Sequence, residues 1–204
     1  MRRRGPGWFT ALLRAVRAIA VLATCTPVLF ASPRAPEPLA SARSDGRAPD
    51  KALFLLELAR FVAWPDRLLP TPDTPFVIGV LGDSSLRRVL ERELAGKFVD
   101  SHPVRVVGFR NLDEVDPCPL LYVGDRKAQQ MESVVEFLEG DTVLTIGERD
   151  DFLERGGVLR VIERPDRIAF EVNLATAARA GLALSSRLLA VADRVVDGPD
   201  RGRP

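Results

Sequence analysis

The 204-residue chain is poor in the side chains that most often carry chemistry: one histidine, two cysteines, two methionines and one tyrosine. His102 alone, just before Pro103, gives no Cys/His metal spacing and no second member for an acid–base relay. A histidine at the start of a strand, near the surface, reads most simply as a bystander. G-x-S-x-G, the phosphate-cradling P-loop, G-x-G-x-x-G and C-x-x-C are all missing; Gly79-Val80-Leu81-Gly82 has the wrong glycine spacing for a dinucleotide fingerprint. Charge of one sign is lacking too, with a formal net charge of +1, which gives no reason to expect a nucleic-acid binder. What is present is a composition 46% hydrophobic and 28% charged, enough for one domain with a real core.

The basic residues are unevenly placed. Residues 1–42 hold Arg2, Arg3, Arg4, Arg14, Arg17 and Arg34 against Glu37 alone, so the rest of the chain is mildly acidic at −4. Met1–Arg17 is a basic leader, and Ala18–Ala31 is an apolar run too short to cross a bilayer comfortably. Ala40-Ser41-Ala42 supplies an A-x-A cleavage site, with Ala31 as a second place to cut. Residues 1–42 are therefore expected to be a cleaved signal peptide and 43–50 a linker within the Pro-, Ala-, Ser- and Arg-rich stretch that runs to Asp50. Leu22-Ala23-Thr24-Cys25 has the spacing of a lipoprotein box, but Thr24 suits that role poorly. Removal of Cys25 leaves Cys118 as the sole thiol, so no disulfide can form within the mature chain. Cys118 reads as a small buried hydrophobe ahead of a strand.

From residue 51 the pattern alternates. Lys51–Ala63 is an almost wholly apolar helix, ended by Trp64-Pro65. Phe76–Leu81, Leu120–Val123 and Thr142–Ile146 are short apolar runs of the kind buried on both faces, and Pro103–Phe109 is a further strand. Helices are expected after Gly82-Asp83-Ser84 and from Asp125 to Leu138, one helical turn at Asn111–Val115, and a short helix at Asp150–Glu154. Val158–Glu163 and Arg167–Val172 form a hairpin across Arg164-Pro165-Asp166. The fold expected is α/β: a mainly parallel sheet with helices on both faces and a C-terminal β-hairpin, spanning residues 51–196, with a frayed tail at 197–204.

The stretch Ile168–Val196 is the most informative. A strand leads to Asn173 as a helix cap, to an alanine-rich helix over Leu174–Ala180, and to a left-handed stop at Gly181 against which Leu182 packs. Ser185 caps a second helix, whose Leu188, Leu189, Ala192, Val195 and Val196 share one face. Asn173, Arg179, Ser185 and Ser186 gather around this corner as candidate ligand- or partner-binding residues. Trp64, at a helix end beside a proline-rich loop, is a candidate contact anchor, whereas Phe54 and Phe61 read as core. Three strands end in an acid, at Gly82-Asp83, Gly124-Asp125 and Gly147-Glu148. Such acids collect at the carboxyl edge of a parallel sheet, where Mg²⁺ is one reading. Capping of the next helix is the simpler one and requires no site. No lysine is obviously placed to complete a phosphoryl-accepting site, and no metal or cofactor is expected.

Several segments together resemble the YfiR family of small periplasmic regulators: KALFLLELARFVAWP; FVIGVLGD followed by L-A-G-K; Cys118-Pro119-Leu120-Leu121-Tyr122-Val123; LTIGE with Phe152 and Gly156-Gly157; and FEVNL…AGLALSSRLL. The resemblance runs from about Lys51 to Val196. It implies an exported, non-enzymatic α/β protein that binds the periplasmic sensor region of an inner-membrane diguanylate cyclase, YfiN or another membrane sensor, and represses cyclic-di-GMP synthesis and with it biofilm formation. It also implies an outer-membrane lipoprotein able to sequester the repressor, and leaves a homodimer open. Some family members carry stabilising cysteine pairs; with Cys118 alone, this chain departs from that pattern. The second reading is a periplasmic sensor of small ligands, with Asn173, Arg179 and Ser185 at the carboxyl edge of the sheet. A third, a minor hydrolase with the acids holding Mg²⁺, is not expected.

Overall fold

The computed structural model describes residues 48–198; the expected signal peptide with its two candidate cleavage sites, most of the expected linker and the last six residues lie outside them. The first helix, α1 (Ala48–Ala59), starts three residues before Lys51 and stops short of Ala63. The chain then turns, with Phe61 N–H donating to the Leu58 carbonyl, and enters a two-residue strand β1 (Val62–Ala63). Val62 and Ala63 leave the helix because they pair antiparallel with β9 (Ala183–Leu184), an attachment that local helix propensity cannot foresee.

The main sheet is built from β2 (Phe76–Leu81), β4 (His102–Phe109), β5 (Leu120–Val123), β6 (Leu144–Gly147), β7 (Leu159–Glu163) and β8 (Ile168–Asn173). The short strands β3 (Phe98–Val99) and β10 (Arg194–Val196) stand at its two edges. Its order is β10-β8-β7-β6-β5-β2-β4-β3. All neighbours run parallel except the β3–β4 and β7–β8 pairs. The expected hairpin is therefore present, with Arg164 N–H bonded to the Arg167 carbonyl across the turn. Five of the parallel strands follow the order second-first-third-fourth-fifth of doubly wound sheets, and the order reverses at β2 and β5.

Alternating side chains send two cores to the two faces. Phe76, Ile78 and Val80 of β2 and Leu120 and Tyr122 of β5 meet α1 and Leu86, Leu90 and Leu94 of the α2 region. The helix α2 itself is Ser84–Glu93. Leu81, Leu121 and Val123 meet the other face, covered by α3 (Asp125–Ala128) and α4 (Met131–Phe137) through Ala128, Met131 and Val134, with Phe152 beside them. The helix expected from Asp125 to Leu138 is thus two pieces broken at Gln129-Gln130, and the turn at Asn111–Val115 is a 3₁₀ helix over Leu112–Glu114.

Two expectations fail locally. Asp150–Glu154 is a succession of turns, in which Asp151 accepts from Arg149 and Arg155 and the chain folds round the buried Phe152 ring. The last helix, α6 (Ser186–Val191), ends at Val191, and Arg194–Val196 is a strand. The outer edge of β8 offers backbone groups that need partners, and two β-branched valines fit there better than a third turn of a short helix would fit solvent. Asp193 anchors the switch: its N–H donates to the Phe170 carbonyl, and its carboxylate takes Arg164 and Arg167.

Candidate functional site

The carboxyl ends of β2, β5 and β6 converge, as the sequence pattern implied, but their three acids do different things. Asp83 caps α2, its Oδ1 accepting from Ser85 and Leu86 N–H at 3.0 and 2.9 Å. Asp125 opens α3 and is exposed. Glu148 caps nothing; its Oε1 accepts from Tyr122 Oη and Lys51 Nζ, both at 2.5 Å. Lys51 also reaches Glu163 at 2.6 Å, so α1 is tied by one ammonium to the ends of β6 and β7. Burial opposes the Lys51 charge, yet the two carboxylates outweigh it and hold the ammonium above the ordinary lysine value. Burial, with Glu148 alongside, drives the Tyr122 hydroxyl far above its ordinary value, so it acts as a fixed donor.

Sequence reasoning found no lysine for this edge because Lys51 arrives from the far end of the chain. The one hint was a lysine opening an otherwise apolar helix. A crevice of about 400 Å³ between β2 and β5, lined by Asp83, Ser84, Ser85, Tyr122, Asp125 and Arg126, lies at the point where strand order reverses. Asp83 already occupies the first N–H groups of α2, and among the described residues no cluster of three metal-ligating side chains forms.

The larger concavity, about 1060 Å³, is at the other end of the sheet. Val135, Leu138, Val143, Leu153 and Val158 give it an apolar floor. Glu132, Glu136, Glu139, Asp141, Asp151 and Glu154 rim it, with Arg155 and Arg179 as the cations. Arg155 bridges Glu132 at 2.9 Å and Asp151 at 2.6 Å. Hydrogen bonds from Arg149 and then Arg155 hold the Asp151 carboxyl well below the usual carboxylate range. Asn173 and Arg179 line this cleft, not the carboxyl edge expected for them. The reason is the hairpin: β8 runs antiparallel to β7, so its carboxyl end lies beside the amino ends of β6 and β7.

Asn173 is 2% exposed and fully engaged. It caps α5 (Leu174–Arg179) by accepting Thr176 N–H at 3.0 Å, and donates to the carbonyls of Leu153 and Gly198 at 3.3 and 3.0 Å. Exposed Arg179 donates to Thr176 Oγ1 at 3.0 Å. Ser185 caps α6 through Leu188 N–H at 3.2 Å, and its own N–H donates to the Phe61 carbonyl. Exposed Ser186 opens α6, and neither serine lines the cleft. The corner seen in sequence is thus split in space, into Asn173 and Arg179 on one side and Ser185 and Ser186 beside the β1–β9 ribbon. Trp64 is half-buried, edge-on to Phe76 with ring centroids 5.1 Å apart, and its Nε1 donates to the Ala59 carbonyl at the end of α1 at 2.8 Å. Cys118 is buried against Gly79, and burial pushes its thiol up to about 12. His102 Nδ1 donates to the Thr74 carbonyl at 3.0 Å.

Sheet order, two-faced core and hairpin define an α/β domain of the doubly covered, mainly parallel class. The sequence model described as YfiR/HmsC-like matches residues 50–193, and the chain belongs to that family. The family is one of periplasmic regulators rather than catalysts. No curated protein matches the chain. Among solved structures it is similar to the ABC domain, in complex with L-Trp, from Streptococcus pneumonia: 15% identity, TM-score 0.50, 69% of this chain and 59% of that one. It is also similar to a conserved domain protein from Vibrio cholerae O1 biovar eltor str. N16961: 14% identity, TM-score 0.46, 64% of this chain and 57% of that one. The chain thus spans less than two thirds of either, and at 15% identity the likeness to the ABC domain is one of fold alone.

Proposed function

We propose that this chain is an exported repressor whose folded domain docks on the periplasmic sensor region of an inner-membrane diguanylate cyclase and favours its inactive state. Membership of the YfiR/HmsC-like family over residues 50–193 is the observation that carries the reading. The basic, apolar leader agrees with export. Inhibition of this kind requires only that the domain bind one state of the partner better than the other. Of the residues singled out in sequence, Arg179 and Ser186 are exposed and free to meet a partner, whereas Asn173, Ser185 and Trp64 hold the elements that present them. Deleting the gene is expected to raise cyclic-di-GMP, and Arg179→Glu with Ser186→Arg to do the same without lowering the melting temperature of the purified protein. An unchanged cyclic-di-GMP level after deletion, in a cell that encodes such a cyclase, overturns the reading. An outer-membrane lipoprotein that sequesters the repressor is a further expected partner, testable by co-purification.

The 1060 Å³ cleft favours a second reading, a sensor of small periplasmic molecules. Its acidic rim and apolar floor suit a cationic or zwitterionic ligand with an apolar body, the carboxylate of a zwitterion meeting Arg179. A thermal-shift screen of such compounds checks this: stabilisation lost in Arg179→Ala supports it, and no shift with any compound leaves the docking reading alone.

A further inference from the structure

The strand β10 delivers the chain to the larger cleft. Val196 pairs with Asn173 of β8, and two residues on the Gly198 carbonyl accepts from Asn173 Nδ2 at 3.0 Å. The same nitrogen donates at 3.3 Å to the carbonyl of Leu153, a residue of the cleft floor. Gly198 is thus held beside the cleft. Residues 199–204, Pro-Asp-Arg-Gly-Arg-Pro, follow it outside the described residues. At roughly 3.3–3.6 Å per extended residue, Arg201 can reach about 10 Å beyond Gly198 and Arg203 about 17 Å. The cleft carries charge to meet them. Of its acids, Glu132 and Asp151 are paired with Arg155. Glu136, Glu139, Asp141 and Glu154 are exposed, and none of them meets a cation among the described residues. Arg179, on the helix that Asn173 caps, meets only the Thr176 hydroxyl among the described residues. A concave surface lined mostly by one sign of charge concentrates its field on whatever enters.

We propose that residues 199–204 fold back as a strap across this cleft, with Arg201 and Arg203 on the carboxylates of Glu136, Glu139, Asp141 and Glu154, and Asp200 on Arg179. Three features select this segment over a separate molecule. Gly198 starts it at the cleft, and its arginines reach into the cleft. Its order of charges, one acid and then two bases, answers a rim with one guanidinium on the helix next to Gly198 and four unpaired carboxylates. Being attached, it stands at an effective concentration on the order of millimolar however dilute the protein. Exposed ion pairs are individually weak, so the strap is reversible and salt opens it. A small cation or a partner surface entering the cleft has to displace it. The strap requires neither of the functional readings above to hold.

A nitroxide label between the two arginines tests this by nuclear magnetic resonance. In a chain carrying Cys25→Ala and Gly202→Cys the other thiol, Cys118, is buried, so the label goes to one place. At low salt the amide signals of Leu138, Gly140 and Gly156 are expected to broaden and lose intensity, while those of α2, on the opposite face of the sheet, keep theirs. Arg201→Glu with Arg203→Glu is expected to restore the lost signals, and so is about 1 M salt, which screens exposed charges beyond roughly 3 Å. Adding Glu136→Lys and Glu139→Lys to the reversed segment is expected to bring the broadening back, an outcome that a merely tethered segment does not give. Unchanged α2 signals show that each variant is folded. Equal broadening with the native and the charge-reversed segment overturns the proposal and leaves the cleft to a partner or a small cation. So does a double reversal in which the broadening does not return.

Discussion

The side-chain amide of Asn173 accepts the Thr176 N–H and donates to two carbonyls, those of Leu153 and Gly198, from a buried position. Alanine there removes a cap and strips a buried carbonyl of its donor. Asn173→Ala is expected to lower unfolding free energy by about 2–3 kcal/mol, read from urea denaturation. Its capping role was legible in sequence, from its place between a β-pattern and an alanine-rich run; its two donor bonds were not, because Leu153 and Gly198 are 20 and 25 residues away. Phe152 shows the same division. The ring is sandwiched between Gly147 and Gly157, where a Cβ would come within 2.4 and 2.2 Å of it. Gly157→Ala is expected to cost about 1–3 kcal/mol, and Phe152→Leu in the same chain to recover part of that in a double-mutant cycle. Buried Cys118, with its thiol raised to about 12, is expected to react with a maleimide only as fast as the protein opens.

Among elements, α5 is the one whose end the sequence specified fully. Gly181 has φ +66°, its N–H bonds the Ala178 carbonyl, and Leu182 N–H bonds the Ala177 carbonyl while its side chain is buried. Gly181→Ala is expected to destabilise by about 1 kcal/mol, measured by thermal or urea unfolding, since a Cβ resists that left-handed backbone. The next element went the other way. Leu188 to Val196 has helical spacing, yet only its first half is helix, because the open side of β8 competes for Arg194–Val196. Likewise Val62 and Ala63 leave the first helix for a pairing with residues more than a hundred positions on. Short segments follow local pattern until a distant partner offers backbone bonds that solvent would otherwise fill.

For the whole molecule, pH acts at the two ends of the sheet with opposite sign. Asp151 titrates lower when folded than unfolded, so its contribution is complete above about pH 4 and is lost as pH falls through the folded value. Melting temperature is expected to drop more steeply below about pH 4 in the wild type than in Asp151→Asn. Lys51 and Tyr122 titrate higher when folded, so their contribution is complete below about pH 10 and is lost as pH climbs toward the folded values. The alkaline decline is expected to be shallower in Tyr122→Phe.

The sequence by itself determined the α/β class, the C-terminal hairpin, the caps at Asp83, Asn173 and Ser185 and the stop at Gly181, since each depends on periodicity or on residues within one turn of each other. Its motifs, taken together, also identified the family. Only the tertiary structure decided that Lys51, Tyr122, Glu148 and Glu163 meet, that Asn173 and Arg179 face the amino end of the parallel strands, that the last residues pair as a strand, and that Gly198 is held beside the larger cleft. These depend on which strand lies beside which and in which direction, and that is settled by the joint packing of two faces rather than by any local pattern.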